Sequence, residues 1–357
     1  MPEFSDPRVL VDWARDLGAS YPFIDFHAHP YDVYSADTAY QENSQVEGLF
    51  SKGAFAYHPP EIESDAGHPR QPLSKSAGAI RLASRLTYTH TGPKVFSDQL
   101  EQAGISGALL LPVARRPGTA WNLLDATSEM FSMDSRLFLG CPFPVGLKPE
   151  ELYDFYFSAL QAKGIRVIKI HPNLAGIDPL TTSGIELIEA TLVAANSLGL
   201  PVIVHTGFTP GLDPAGGGDY AALANLASLN WSLTSAPVIL AHAGCYGLNE
   251  TESDGVISLL ETLLEKNLHL LADTSALQPA VLQLLLSSMD SSRLIFGSDT
   301  LYFPIWKAWI AFLRALRFSS ARPDDDLVKI ASLNPARCLS PDPLSLKQAP
   351  TLAHNHV

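Results

Sequence analysis

Five short apolar runs in this chain each close on a side chain that can bind a metal or move a proton. They are FIDFHAH, ending on His27 and His29; VIKIH, on Lys169 and His171; PVIVH, on His205; VILAH, on His242; and LIFGSD, on Asp299. Imidazole, amine and carboxylate are the donors of cation sites and the groups of acid–base catalysis. Alternate side chains of a strand share a face, so His27 and His29 point the same way, about 7 Å apart, and could grip one cation, while Phe26 and Ala28 point outward toward the helices. The spacing alone carries little weight, since His354 and His356 repeat it near the carboxyl end. What distinguishes the first pair is its place at the end of an apolar run, shared with His205, His242 and Asp299. A carboxylate closing a run as apolar as LIFGSD is costly to bury without a metal, proton or donor partner. Three imidazoles and a carboxylate suit Zn²⁺, with Mn²⁺ or Fe²⁺ as substitutes. With no thiolate in the set, the site reads as catalytic, and water on such a cation ionises near pH 7 instead of ~15.7.

Gathering these strand ends at one point requires a closed sheet. Strand candidates recur at 23–29, 105–113, 136–143, 165–171, 200–206, 236–243, 268–274 and 293–299. Helical periodicity fills 120–133, 149–162, 182–198, 219–231, 252–266, 278–289 and 304–317, after an amphipathic amino-terminal segment. Such alternation is the pattern of parallel βαβ units, and Gly199-Leu200-Pro201 marks one helix stop and strand start. The expected fold is α/β, a (β/α)₈ TIM barrel with an insertion after strand 1. The chain's 357 residues fit one such barrel, which commonly exceeds 250 residues. Residues 1–340 read as a single domain, 30–95 as a lid-like insertion with a helix near 76–87, and 341–357 as a tail.

Composition narrows the partners. Hydrophobic residues make up 46% and charged ones 17%, which predicts a folded core rather than disorder. A formal net charge of −13 argues against nucleic acid or an anionic membrane and leaves a small-molecule substrate. Cys141, Cys245 and Cys338 are too far apart for a C-x-x-C pair and read as free buried thiols in a reducing compartment. The amino end lacks the apolar stretch of a signal peptide or spanning helix, so a cytoplasmic protein is expected.

The phrases IDFHAHP, VIKIHPN, PVIVHTG, VILAHAG, LADTS, LIFGSDT and SLNPARCL, in this order over residues 22–340, resemble the amidohydrolase superfamily. The likeness is to its branch of metal-dependent hydrolases and relatives of aminocarboxymuconate-semialdehyde decarboxylase. The resemblance implies His27, His29, His205 and Asp299 as ligands of one metal ion, Asp299 also handling protons. It implies that His242 stays off the metal and orients or polarises water or substrate. Lys169 falls where binuclear relatives carry a carboxylated lysine bridging two metals, with His205 and His242 on the second ion. The residues themselves leave another reading open, in which Lys169 pairs with Asp25 on the barrel floor. The resemblance also allows a homodimer.

Other polar residues complete the expectation. Strand parity turns His171 inward beside Lys169, nearer the rim, and Arg115 or Arg116 after the second strand could hold a substrate carboxylate in bidentate fashion. His58, His68, Arg70 and His90 sit in the insertion. Asp273, Thr274 and Ser275 end strand seven and could brace the site, and Asn334 could cap the helix that follows it. The expected activity is hydrolysis of an amide, lactone or ester of a small, carboxylated molecule, with Asp299 moving the proton and His242 stabilising the oxyanion. Two alternatives stand beside it: non-oxidative decarboxylation of an aromatic or unsaturated acid, and a barrel that binds a metabolite without catalysis.

Overall fold

Runs rich in Val, Ile and Leu become eight parallel strands, ordered β1 to β8 around one sheet. These are β1 Ile24–Ala28, β2 Gly107–Leu110, β3 Leu137–Pro142, β4 Val167–Ile170, β5 Val202–Gly207, β6 Val238–Tyr246, β7 Leu270–Asp273 and β8 Leu294–Ile295. The structure is a computed structural model and describes residues 6–30, 93–132, 134–209, 217–300 and 305–340. The insertion predicted over 30–95, apart from its edges, lies outside the described residues with His58, His68, Arg70 and His90, as does the tail 341–357. Closure runs from β8 to β1: the Phe26 N–H donates to Phe296 O at 3.0 Å, the Asp299 N–H to His27 O at 2.8 Å, and Ala28 bridges Thr300 in parallel. Gly297 permits this approach, since a Cβ there would fall 2.6 Å from His27 Cβ.

The helices form an outer layer: α1 Pro7–Gly18, α2 Pro93–Ala103, α3 Ala120–Phe131, α4 Leu152–Lys163, α5 Pro172–Ala175, α6 Thr182–Leu198, α7 Leu223–Leu226, α8 Glu250–Lys266, α9 Pro279–Ser288, α10 Ile305–Ser319, α11 Pro323–Val328 and α12 Asn334–Leu339. Their ends follow local chemistry. Asp6 caps α1 by accepting from Arg8 N–H, and Asn249 and Glu252 form a capping box on α8. Gly199, with φ 66°, ends α6 where the Gly-Leu-Pro signal placed the stop. No helix among the described residues is long and apolar enough to cross a membrane. All three cysteines are free and buried.

Three sequence expectations need correction. The helix predicted over 219–231 is only the single turn α7 followed by a 3₁₀ turn at Trp231–Leu233. Its start is drawn to the barrel rim, because Ala221 O accepts from Gly207 N–H and Ala221 N–H donates to Asn173 Oδ1. Phe26, expected to face the helices, packs with Ile24, Leu109, Leu111, Val167, Ile203 and Leu271. That set shares the inward face of the sheet, and the pairing of β1 with β2 shifts between Asp25 and Ala28, which breaks strict alternation. Asn334 does not cap: it is the first residue of α12, and its Nδ2 donates to Ser291 O and Leu294 O, pinning the start of β8.

Apolar layers on both sides of the sheet carry the stability. Inside, Cys338 and Leu339 plug the floor below Ile24, Ile239 and Ile295; outside, Trp309 packs edge-on against Phe296, with ring centroids 4.7 Å apart. Each fully buried side chain of this kind contributes roughly 1.5–3 kcal/mol. These layers offset the desolvation of a polar cluster at the carboxyl rim.

Candidate metal centre

His27, His29, Lys169, His171, His205, His242, Asp273 and Asp299 are all at least nine-tenths buried and come from β1, β4, β5, β6, β7 and the segment after β8. Two of them sit on strained backbone. His242 and Asp299 have φ of 58° and 57°, left-handed values costing on the order of 1–3 kcal/mol each at non-glycine residues. The strain is held by main-chain bonds: the His242 N–H donates to Asp273 Oδ1 at 2.7 Å, and the Asp299 N–H donates to His27 O at 2.8 Å.

Fixed partners set the histidine tautomers. The His27 Nδ1–H donates to Asp273 Oδ2 at 2.7 Å, and the His29 Nδ1–H donates to the Leu111 carbonyl at 2.8 Å. Each ring therefore presents a lone pair on Nε2. These Nε2 atoms lie 3.7 and 3.3 Å from Asp299 Oδ1. His27, His29 and Asp299 thus bring three donor atoms within 4.8 Å of one another, all of them hydrogen-bond acceptors. Acceptors this close repel unless a cation or proton lies among them. Lys169 already approaches, its Nζ donating to His27 Nε2 at 3.2 Å.

Asp273 braces the opposite side. It accepts from His27 Nδ1–H, from His242 and Ser275 N–H, and from the Ser275 hydroxyl at 2.5 Å. Burial alone would raise its carboxyl; the charges of His27 and His242 and the bonds from His27 and Ser275 outweigh that and hold it below the ordinary range. A carboxylate behind a ligating histidine fixes ring and tautomer and raises ligand basicity. His27, His242 and Asp273 form a second convergent set. Its donors and acceptors are already matched, because the His242 Nδ1–H points to Ser275 O at 3.1 Å.

His205 lies one ring further along. It stacks on His171 at 3.8 Å between centroids, and His242 stands between it and His27, with ring contacts of 4.9 and 5.0 Å. Its Nδ1 faces His242 Nε2 at 3.2 Å and its Nε2 faces Thr209 Oγ1 at 3.2 Å. It is therefore adjacent to the convergent donors but engaged within the protein. His171 Nδ1 accepts from Leu174 N–H, which leaves its Nε2–H as a donor with no partner among the described residues. Arg115 is half-buried after β2, and Arg116 is exposed.

Electrostatics follow burial. Desolvation, then the Lys169 charge, lowers His27 to about 3, against Asp273. Burial likewise lowers His171 and His205 well below the ordinary histidine value, and His242 below it. Burial brings Lys169 down to about 8, opposed by Asp273 and Asp299. Burial would raise Asp299, but the neighbouring His29, His242 and His27 outweigh it and lower it. Asp25, pushed up to about 7 by burial, is held by Ser298 and the His27 N–H. No ion pair joins Asp25 to Lys169 among the described residues; those bonds hold Asp25 instead.

Sequence reasoning missed three participants. Leu111 acts through its carbonyl, which no side-chain pattern reveals. Ser298 and Thr209 are small polar residues beside named ones, in GSD and HTGFT, and proximity was the only available signal.

A parallel barrel with buried histidines and a carboxylate at one rim defines a class of barrel enzymes, and comparison identifies the family. A sequence model of the amidohydrolase family matches residues 24–340, and the chain belongs to that family of enzymes. No match is found among curated proteins. Among solved structures, the apo IDCase of Metarhizium anisopliae is 16% identical with TM-score 0.56, covering 89% of this chain and 97% of that one. A probable 2-pyrone-4,6-dicarboxylic acid hydrolase of Acinetobacter baumannii with bound citric acid is 16% identical with TM-score 0.53, over 89% and 98%. A 5-carboxyvanillate decarboxylase mutant of Novosphingobium aromaticivorans with bound manganese is 14% identical with TM-score 0.52, over 89% and 97%. At these identities the likeness is one of fold.

Proposed function

We propose that this protein is a metal-dependent hydrolase that cleaves an amide, lactone or ester bond of a small, carboxylated molecule. One observation carries the reading: His27 Nε2, His29 Nε2 and Asp299 Oδ1 converge as acceptors within 4.8 Å. His27, His29 and Asp299 suit one divalent cation, with His205, one ring beyond His242, as the fourth donor the family resemblance implies; nitrogen with carboxylate oxygen suits Zn²⁺ first, then Mn²⁺ or Fe²⁺. A second ion is disfavoured, because His205 and His242 already bond to each other and the Asp273 set is internally matched. When bound, the cation would polarise a carbonyl and acidify water.

The chain's own groups divide the remaining work. Asp299, ionised at neutral pH, takes the proton from the attacking water and passes it to the leaving group. His242 does not suit the oxyanion role expected of it. With Nδ1–H committed to the Ser275 carbonyl, its neutral ring offers only a lone pair at Nε2, which orients water by accepting. The donors for developing negative charge are Lys169 Nζ and the free Nε2–H of His171. Arg115, half-buried after β2, is assigned the substrate carboxylate. The carboxylated substrates named for the pyrone-dicarboxylic acid hydrolase and the carboxyvanillate decarboxylase support that class.

Incubation of the zinc-loaded protein with panels of lactones, amides and aromatic acids tests the reading, following acid release against CO₂. Release of acid or amine with uptake of one water is expected. Stoichiometric CO₂ without water uptake would make it a decarboxylase, and a metal content near two ions per chain would overturn the single-cation site.

A further inference from the structure

Asp25, two residues before His27, is fully buried, as are Ser298 and Thr300 on either side of Asp299. A carboxylate so placed depends on the donors that reach it. Its Oδ1 accepts from Ser298 N–H at 2.9 Å and His27 N–H at 3.2 Å, and its Oδ2 accepts from the Ser298 hydroxyl at 2.5 Å. The Ser298 hydroxyl oxygen in turn accepts from Thr300 N–H at 3.0 Å. One carboxylate on β1 therefore ties down the residues before and after Asp299.

The residue between them is strained. Asp299 has φ 57°, which a non-glycine residue keeps only where its surroundings impose it. The Ser298 hydroxyl bridges over it, its own N–H is fixed to His27 O at 2.8 Å, and Gly297 admits this close approach because a Cβ there would fall 2.6 Å from His27 Cβ. Relaxation to negative φ would swing the carboxylate away from the Nε2 atoms of His27 and His29, which lie 3.7 and 3.3 Å from Oδ1. None of the bracing bonds uses one of the three convergent donor atoms, so a cation among them leaves every brace in place.

We propose that Asp25 is a positioning residue for Asp299, acting through Ser298 to hold the left-handed backbone that aims the Asp299 carboxylate at His27 and His29. The inference rests on the reading of Asp299 as cation ligand and proton carrier.

The test is a double-mutant cycle in the full-length protein, with Zn²⁺ titrated against a chromophoric chelator and crystal structures solved without metal. Ser298→Ala removes the bridge but keeps the main-chain bonds to Asp25. It should turn the Asp299 carboxylate away from His29, lower zinc affinity about 10–100-fold, and lower kcat more than it raises KM. Asp25→Asn sets an amide donor against the Ser298 hydroxyl and should lose zinc affinity by a smaller factor. In an Asp299→Ala background neither change should cost further affinity, because the group they aim is gone. Bracing that is merely structural would lower Tm and leave zinc affinity unchanged, or lower affinity equally in both backgrounds. Either result, or a metal-free Ser298→Ala structure with Asp299 unmoved, would overturn the proposal; if Ser298→Ala fails to fold, the cycle with Asp25→Asn decides. A wild-type chain that binds no zinc would instead sink the functional reading, leaving the metal-free structures to decide on Asp25.

Discussion

The two sides of the His27 ring offer a controlled contrast, since one imidazole serves two sets of neighbours. On the Nδ1 side, Asp273, Ser275 and His242 meet with every donor facing an acceptor. On the Nε2 side, His29 and Asp299 present acceptors to an acceptor, and Lys169 donates to His27 Nε2. Both sets bring three donor atoms within 4.8 Å of one another. Proximity of histidines and carboxylates therefore does not distinguish a cation site from a brace; the balance of protons does. A matched set is complete as it stands, whereas three converging acceptors with Lys169 donating to one of them leave room for further positive charge.

His27→Ala, which removes both sides at once, breaks the contrast most severely. Metal content should fall close to zero and activity to background, while circular dichroism and the unfolding transition stay near wild type because the apolar layers are intact. Bound metal at the wild-type level would show that the Nε2 side is not the site. Next in size is Asp299→Asn, which keeps the shape but loses the proton acceptor. Its kcat should drop by about 10²–10⁴-fold, read by steady-state kinetics on the metal-loaded protein, and an undiminished kcat would remove Asp299 from proton transfer.

Asp273→Asn sharpens the comparison from the matched side. Main-chain N–H groups of His242 and Ser275 require an acceptor at Oδ1, so the amide Nδ2 would face His27 Nδ1. His27 must then shift its proton to Nε2, which converts a metal donor into a blocked nitrogen. Metal affinity should fall about 10–100-fold without loss of any ligand, and ¹⁵N spectra should show the reversed tautomer. An unchanged affinity would mean that the Nδ1 side does not govern the Nε2 side.

The same contrast explains what could be read from the sequence. Strand ends are legible because an apolar run that stops on His or Asp announces itself, and all eight observed strands overlap the predicted runs. Asp273 and Ser275 were visible as braces for the same reason. The distinction between bracing and binding was not, since it depends on which nitrogen faces which neighbour. That was set by the Leu111 and Ser275 carbonyls, groups present at every residue. Phe26 escaped because period-two alternation assumes a regular ladder, and β1 shifts register where it carries the site. The weak helix at 219–231 escaped because its Ala- and Leu-rich pattern is satisfied locally, while Asn173 draws Ala221 to the rim.

The smallest effect is one of stability, and it separates the histidines from the carboxylates. His27, lowered to about 3, and His171, His205 and His242, lowered by burial, stay neutral in the fold but take up protons when unfolded below about 6.5. Their depressed values mean that this contribution is complete above about 6.5 and is lost progressively as the pH falls. Asp25 opposes them: raised to about 7, it stabilises most below about 3.9 and loses that contribution as pH rises through 7. Lys169 titrates at about 8 in the fold, so its penalty is constant below that and does not affect the comparison. Four histidines against one aspartate give a net loss on acidification. The metal-free protein in chelator should show a Tm that declines steadily from pH 7.5 to 5 at fixed ionic strength. A Tm that is flat or rises over that range would show that the rings are not held neutral, and the tautomer argument for the Nε2 side would fail with it.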